Sequence, residues 1–428
     1  MSDPAAPRPE TLAIHAGATP DPTTKARITP IYQTASYVFD DSDHAAALFN
    51  LEAGGNIYTR LGNPTQSVLE ARVSALEGGV AGLAVASGHA AQFLVFHTLM
   101  EPGCNIVASR KLYGGSINQL SQSFKKMGWG VTFIDTDDAA DYAKAINDKT
   151  RAVFIESIAN PGGVVSDIAA IADAAHAAGV PLVVDNTLAS PYLCQPFAHG
   201  ADIVVHSLTK FLGGHGNSIG GMIVDSGRFD WAAGGKYPYL STPNPSYHGK
   251  VFTEAFGPAA FIVACRALGL RDLGPAISPF NAFMILTGIE TLPLRMDRHC
   301  QNALAVAQWL QAHPKVAWVS YAGLAGDRYH ALAQRYAPKG AGAVFTFGLK
   351  DGYAAGVKLV SSVKLFSHLA NIGDTRSLII HPSSTTHRQL EEAAQIVAGA
   401  GPDVVRLSVG LEHIDDIIAD LDQALAGL

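Results

Sequence analysis

The sequence predicts an α/β fold, with a largely parallel sheet covered by helices on both faces and a smaller α+β lobe after it. Three observations carry this. Short β-branched apolar runs alternate with helix-spaced stretches from Ala81 to Lys210, the pattern of successive strand-helix-strand units. Runs such as Val183-Val184 and Ile203-Val204-Val205 have no polar alternation, as expected of strands buried on both faces. Pro275 and Pro279 then mark a joint before a second series of elements. At 428 residues and 48% apolar composition, the chain can bury a sizeable core.

Charge and cysteine content exclude several classes. The net charge of −7 and the lack of a basic run give little attraction for nucleic acid. Cys104, Cys194, Cys265 and Cys300 are too far apart for a CxxC metal site or a dense disulfide framework, so they are read as reduced and mostly buried. Met1 to Glu10 has no apolar core of a secretion signal, and a cytoplasmic protein is expected. Gly78 to Met100 runs 23 residues without Asp, Glu, Lys or Arg, long enough for a bilayer. Its glycines, His89, Gln92 and His97 break the run, so a strand, a turn and a helix describe it better than a membrane span.

Residues 1–65 read as an irregular arm punctuated by Pro20, Pro22 and Pro30, with little helical period before Ser42. The arm ends in Tyr58-Thr59-Arg60, then Asn63-Pro64-Thr65, where Thr65 is placed to cap a helix starting at Gln66. Tyr58 and Arg60, two apart, share a strand face; taken alone, a packed tyrosine and a surface arginine are the better fit. Ala81 to Ser87 reads as a strand turning at Ser87-Gly88-His89 into the helical run Ala90 to Met100. Free amides at such a helix start attract a phosphate, although this turn is also common without a ligand. Ile106 to Ala108, Val131 to Ile134 and Ala152 to Ile155 continue the strands, the last closed by Glu156 and Asn160-Pro161. Between the first two, Tyr113-Gly114-Gly115-Ser116 leads into a helix; Tyr113 suits either a cofactor ring or a packed turn. Asp167 to Gly179 has helical spacing, with Asp167 in the first turn and Gly179 as its stop.

The chemistry concentrates at the next two strand ends. Val183-Val184 stops at Asp185-Asn186-Thr187, and Ile203-Val204-Val205 stops before Ser207-Leu208-Thr209-Lys210. Ligands of open α/β sheets gather where strands end, so a carboxylate and an amine are expected to face one pocket. Pyridoxal phosphate needs that pair: its aldehyde bonds to a lysine, and its ring nitrogen stays protonated beside a carboxylate. Ser207 and Thr209 flank Lys210 with hydroxyls suited to a phosphate. A turn-forming Asp185 and a solvated Lys210 remain the alternative at this point. The Gly213 to Gly221 run suggests a dinucleotide fingerprint, but position 219 is Ile and the run precedes the strand Met222 to Val224, so that reading is rejected.

Gly234 to Gly257 is a long loop-rich insertion containing Tyr247-His248-Gly249. Helices are expected over Phe261 to Leu268, Ala282 to Leu292 and Ala354 to Val363, and strands over Val316 to Tyr321 and Ala343 to Leu349. Three polar clusters mark the second lobe: Asn371-Ile372-Gly373-Asp374, His381 through His387, and Arg406-Leu407-Ser408. Arg406 lies in an apolar strand, Val404 to Val409, where it would meet a substrate carboxylate or an internal salt bridge. His381 and His387 lack zinc-protease spacing, and no metal is expected.

Together and in this order, Tyr58-Thr-Arg60 with Asn63-Pro-Thr, Ser87-Gly88, Leu112-Tyr113-Gly-Gly, Asp185-Asn-Thr, Ser207-Leu-Thr209-Lys210 and Arg406-Leu-Ser closely resemble the cystathionine-synthase and lyase family of pyridoxal-phosphate enzymes. The resemblance runs from Thr29 onward and implies the aspartate-aminotransferase-like fold type I. It implies an arm over 1–65 that reaches a neighbouring subunit, a cofactor domain over 66–275 and a C-terminal domain over 276–428. Lys210 would hold pyridoxal 5'-phosphate, Asp185 would pair with its ring nitrogen, and Tyr113 would stack on it and assist catalysis. Ser87, Gly88, His89, Asn160, Ser207 and Thr209 would bind the cofactor, with Tyr58 and Arg60 arriving from the neighbouring subunit of a homotetramer built as a dimer of dimers. Arg406, Asn371, Tyr58 and, less directly, Arg376 would bind substrate.

Within the family, Asn371-Ile-Gly-Asp, Thr385-Thr386 and the Tyr247-His248-Gly249 insertion are similar to the O-acetylhomoserine sulfhydrylases. Gly115 stands where methionine γ-lyases have cysteine. The implied reaction joins O-acetyl-L-homoserine and sulfide to give L-homocysteine and acetate, with small molecules as the partners and neither nucleic acid nor membrane among them. Cystathionine γ-synthesis, γ-elimination, and a non-catalytic binding protein keeping the fold are the alternatives.

Overall fold

The computed structural model describes residues 7–386, 388–389 and 391–428. His387 and the first six residues of the arm therefore lie outside the described residues. Among these, the strands form two sheets. The first contains β1 (Ala81–Val85), β2 (Asn105–Ser109), β3 (Gly130–Ile134), β4 (Thr150–Glu156), β5 (Leu182–Asp185), β6 (Ile203–Ser207) and β7 (Gly221–Asp225), ordered β1-β7-β6-β5-β4-β2-β3. Neighbours from β6 through β5, β4 and β2 to β3 are parallel, while β7 runs antiparallel to both β1 and β6. The expected alternation and mostly parallel sheet are thus observed.

Side-chain choice explains the sheet. Val183, Val184, Ile203 and Val204 are fully buried, each contributing about 1.5–3 kcal/mol of apolar burial. Because β4, β5 and β6 are parallel, their C-terminal ends lie side by side: Glu156 pairs in register with Asp185, and Asp185 with Val205. Lys210 follows immediately in the turn beyond β6. The charge-free Gly78–Met100 stretch resolves into a left-handed glycine cap, β1 and the helix Gly88–Leu99. The Gly213 to Gly221 run is a loop entering β7, with no helix after it.

The second sheet contains β8 (Val316–Ser320), β9 (Val344–Leu349), β10 (Ser367–His368), β11 (Leu378–Ile380) and β12 (Val404–Ser408), ordered β10-β11-β12-β9-β8. It is mostly antiparallel and is backed by helices Gly352–Ser362 and Ile414–Ala426. One apolar cluster joins Leu69 and Val184 beside the first sheet to Val405 and Leu425 beside the second. Three elements depart from expectation. The helix expected from Gln66 spans Pro64–Glu77, and its cap is Asn63, which accepts the Thr65 amide at 2.9 Å, rather than Thr65. The arm contains a helix, Pro9–His15, whose start is set by proline at its first turn. A 21-residue helix, Leu292–Ala312, follows Pro279–Glu290, and its buried Arg295 donates to the carbonyls of Phe211 and Gly288 at 2.8 Å. That arginine clamps the turn just after Lys210, and burial pushes its pKa down to about 10.

Candidate active site

At the C-terminal ends of β4, β5 and β6 lies a cavity of about 210 Å³. It brings together Ser87, Gly88, His89, Tyr113, Asn160, Asp185, Ser207, Lys210, Asn371 and Arg406, residues drawn from both sheets and separated by up to several hundred positions. Gln92, Glu156 and Thr187 also line it, and sequence reasoning named none of them as site residues. The signal for Glu156 was present: it is a polar strand terminus like Asp185. Gln92 lies one helical turn after Gly88, on the same face.

Each side chain has a local cause for its position. Ser87 caps the helix Gly88–Leu99 by accepting the Ala90 amide at 3.1 Å, leaving the Gly88 and His89 amides without intrahelical carbonyls. A Cβ on residue 88 would sit 2.9 Å from that of Ser207, so only glycine lets the helix start approach the Ser207 turn this closely. The result is a cradle of amides and hydroxyls suited to a phosphate. Asp185 accepts the Thr187 amide at 3.0 Å and the Gln92 side chain at 3.2 Å. Thr187 in turn accepts the Ser207 amide at 2.8 Å, tying the ends of β5 and β6 together. The His89 and Tyr113 rings stack with centroids 5.9 Å apart, and burial holds the His89 imidazole below its usual range, hence neutral.

Electrostatics single out two cations. Burial, helped by the positive charge of Arg406, pushes the Lys210 pKa down to about 8, and its Nζ donates to the Asn371 Oδ1. Arg406 donates to Asn160 Oδ1 and to the Asn371 carbonyl, both at 3.1 Å. Its Nε is buried without a partner, and no carboxylate pairs with it among the described residues. Burial pushes its pKa down to about 10. The internal salt bridge is therefore not found, and a desolvated fork is aimed into the cavity with donors to spare. Glu156 accepts the amides of Tyr113 at 2.6 Å and Asn160 at 3.0 Å. Burial and the neighbouring Asp185 raise its carboxyl well above the usual range.

Four of the expected site residues do not line this cavity. Arg376 is a correction: its side chain is exposed and pairs with Asp374 at 3.4 Å, drawn outward by the nearer carboxylate. Thr209 turns its hydroxyl to the backbone of Gly220, accepting its amide at 3.1 Å and donating to its carbonyl at 3.3 Å. Tyr58 and Arg60 stack on each other at 5.3 Å on a separate ledge with Gln33, Thr34 and Gly274. Arg60 also donates to the Arg271 carbonyl. The Tyr247 hydroxyl of the insertion donates to the Ala267 carbonyl at 3.2 Å and accepts from Arg271 at 2.8 Å, a packing role away from the cavity.

Comparison with known proteins agrees with this geometry. The chain is 56% identical to the O-acetyl-L-homoserine sulfhydrylase of Leptospira meyeri, over 98% of this chain and 97% of that one. It is 54% identical to O-acetyl-L-homoserine sulfhydrylase 1 of Thermus thermophilus, over 97% and 99%, and 51% identical to the homocysteine synthase of Schizosaccharomyces pombe, over 97% of each. A crystal structure from Campylobacter jejuni carrying N'-pyridoxyl-lysine-5'-monophosphate superposes with a TM-score of 0.94 at 41% identity, covering 98% of this chain and 100% of the other. The family model for Cys/Met metabolism PLP-dependent enzymes matches residues 10–426, and with a half-buried lysine and a carboxylate in one cavity at the strand ends, the chain belongs to that family of pyridoxal-phosphate enzymes.

Proposed function

We propose that this enzyme is an O-acetylhomoserine sulfhydrylase, converting O-acetyl-L-homoserine and sulfide to L-homocysteine and acetate. The names of the relatives support the substrate pair. The observation that carries the amino-acid part is Arg406, a buried guanidinium with an unpartnered Nε, sharing one cavity with the Lys210 amine.

The residues present fit the cofactor. Lys210 offers an amine shifted toward its neutral form, Asp185 a carboxylate, and the Ser87 to His89 helix start with Ser207 a phosphate cradle. Bound pyridoxal phosphate supplies an electron sink for negative charge at the substrate Cα. Around it, Asp185 keeps the ring nitrogen protonated, and Tyr113 covers a ring face. Arg406 takes the α-carboxylate through its free donors, while the Asn371 amide nitrogen remains available beside it. Lys210 Nζ, neutral, removes the Cα proton and then shuttles a proton at Cβ, so that acetate leaves Cγ and sulfide takes its place. Tyr113 is the second proton-handling group near Cγ.

The test presents O-acetylhomoserine and O-succinylhomoserine side by side, each with sulfide, with cysteine, or with no nucleophile, and identifies products by mass spectrometry. Homocysteine from the acetyl ester with sulfide is expected as the dominant product. Cystathionine from cysteine, or 2-oxobutyrate without a nucleophile, as the dominant product would replace this assignment with a synthase or a lyase.

The same reading makes the enzyme a cytoplasmic homotetramer, a dimer of dimers, in which Tyr58 and Arg60 complete the neighbouring subunit's site. Support comes from their place on an exposed ledge, apart from the cavity of their own chain. Co-expressed Lys210→Ala and Arg60→Ala subunits should therefore restore roughly a quarter of the sites by random pairing, since one site of each mixed dimer has both native residues. Activity no higher than the sum of the separate variants would mean that Arg60 serves its own subunit.

A further inference from the structure

We propose that Glu156 is a positioning residue that holds the two walls of the catalytic cavity in register: the Tyr113 loop over the cofactor and the Asn160–Arg406 clamp for the substrate carboxylate. Glu156 is the last residue of β4 and is 4% exposed. Its two oxygens are divided between the walls. Oε1 accepts the Tyr113 amide at 2.6 Å, where the short helix Gly114–Asn118 begins without a side-chain cap. Oε2 accepts the Asn160 amide at 3.0 Å, and the Asn160 side chain then accepts from Arg406 at 3.1 Å. One buried group thus sits between the ring that stacks with His89 and the guanidinium on the opposite lobe.

The choice of a carboxylate is informative. It is buried beside a second one, Asp185, an unfavourable setting that raises its pKa. A single amide could be satisfied by a neutral side chain at less cost. Two amides approaching from different loops require two acceptors on one rigid plane, which only a carboxylate provides. The two bonds also tie both loops to a strand terminus, which is more rigid than either loop.

This inference rests on the cofactor-site reading above, and the experiment separates the two. Glu156→Gln keeps the shape but puts a donor where one acceptor stood, so one wall loses its anchor. With the variant loaded with pyridoxal phosphate, the visible circular dichroism of the cofactor should change and the KM for O-acetylhomoserine should rise about tenfold or more. The thermal midpoint of the cofactor-free protein should stay near wild type. In an Asn160→Ala background, the added KM effect of Glu156→Gln should shrink, because the second wall is already released. Glu156→Asp, which keeps the carboxyl group and shortens the arm, should show the same two changes. Wild-type dichroism and KM in either variant, or fully additive effects with Asn160→Ala, would overturn the proposal. A wild-type protein that binds no cofactor covalently would instead overturn the cofactor-site reading itself.

Discussion

Lys210→Ala is expected to lower turnover by about a thousand-fold or more and to remove the visible absorption band of the lysine-linked cofactor. Under the proposed function, one amine has two tasks in this cavity, anchoring the aldehyde and moving protons on the substrate. Its setting prepares it for both. An ordinary lysine is almost wholly charged at neutral pH, whereas burial and the nearby Arg406 bring this one to about 8. A substantial neutral fraction is then available for bonding to an aldehyde. Cofactor capture by the native protein should accordingly quicken as pH rises through about 8. Borohydride reduction followed by peptide mass spectrometry checks the assignment directly, with the reduced adduct expected on Lys210 in the native protein and absent from the variant. An adduct on another lysine, or near-native turnover by the variant, would remove Lys210 from the centre of the mechanism.

The parts of the site that could be read from the sequence follow from apolar strands, either from where they end or from a charge set within one. Val183-Val184 and Ile203 to Val205 could only be buried strands, and parallel neighbours deliver their next residues to one edge. Asp185 and Lys210 were legible for that reason, and Arg406 because a charge in an apolar strand needs a purpose. Glu156 obeys the same rule, yet from the sequence it reads only as a strand stop. Its partners are backbone amides at Tyr113 and Asn160, and backbone groups leave no mark in a sequence.

Where side-chain direction decides the outcome, spacing was not enough. Arg376 stands two residues from Asp374 and is drawn to it in solvent. Thr209 is adjacent to Lys210, yet its hydroxyl meets Gly220 across the following loop. The helix Leu292–Ala312 is not legible beyond its first residue because buried Arg295, His299 and Asn302 interrupt its apolar stripe. Each of them satisfies carbonyls of distant segments: Arg295 at Phe211, His299 at Val409 and Asn302 at Gly410. Polar residues facing a core are the feature that amphipathic periodicity is least able to recognise.

Arg406→Ala should weaken binding of the amino-acid substrate by about 2–5 kcal/mol, roughly thirty-fold to a few thousand-fold in affinity, because the lost partner of a carboxylate is a largely desolvated guanidinium. The effect should fall mainly on KM, since the carboxylate is held alike before and during the reaction. Folding should be little affected: the guanidinium has no carboxylate of its own among the described residues, and a buried cation without a counter-ion contributes little stability. Only the acceptors on Asn160 and Asn371 lose a donor. Arg406→Lys should fall between, retaining charge without the planar fork. A second consequence separates this role from a purely structural one. With the positive charge gone, the Lys210 amine should titrate at a higher pH than in the native protein, though burial still holds it below an ordinary lysine. Measuring substrate affinity by spectral titration and the pH midpoint of cofactor capture in the same variant tests both. An unchanged affinity would discard the carboxylate role, and an unchanged midpoint would show that Arg406 does not act on the lysine through space.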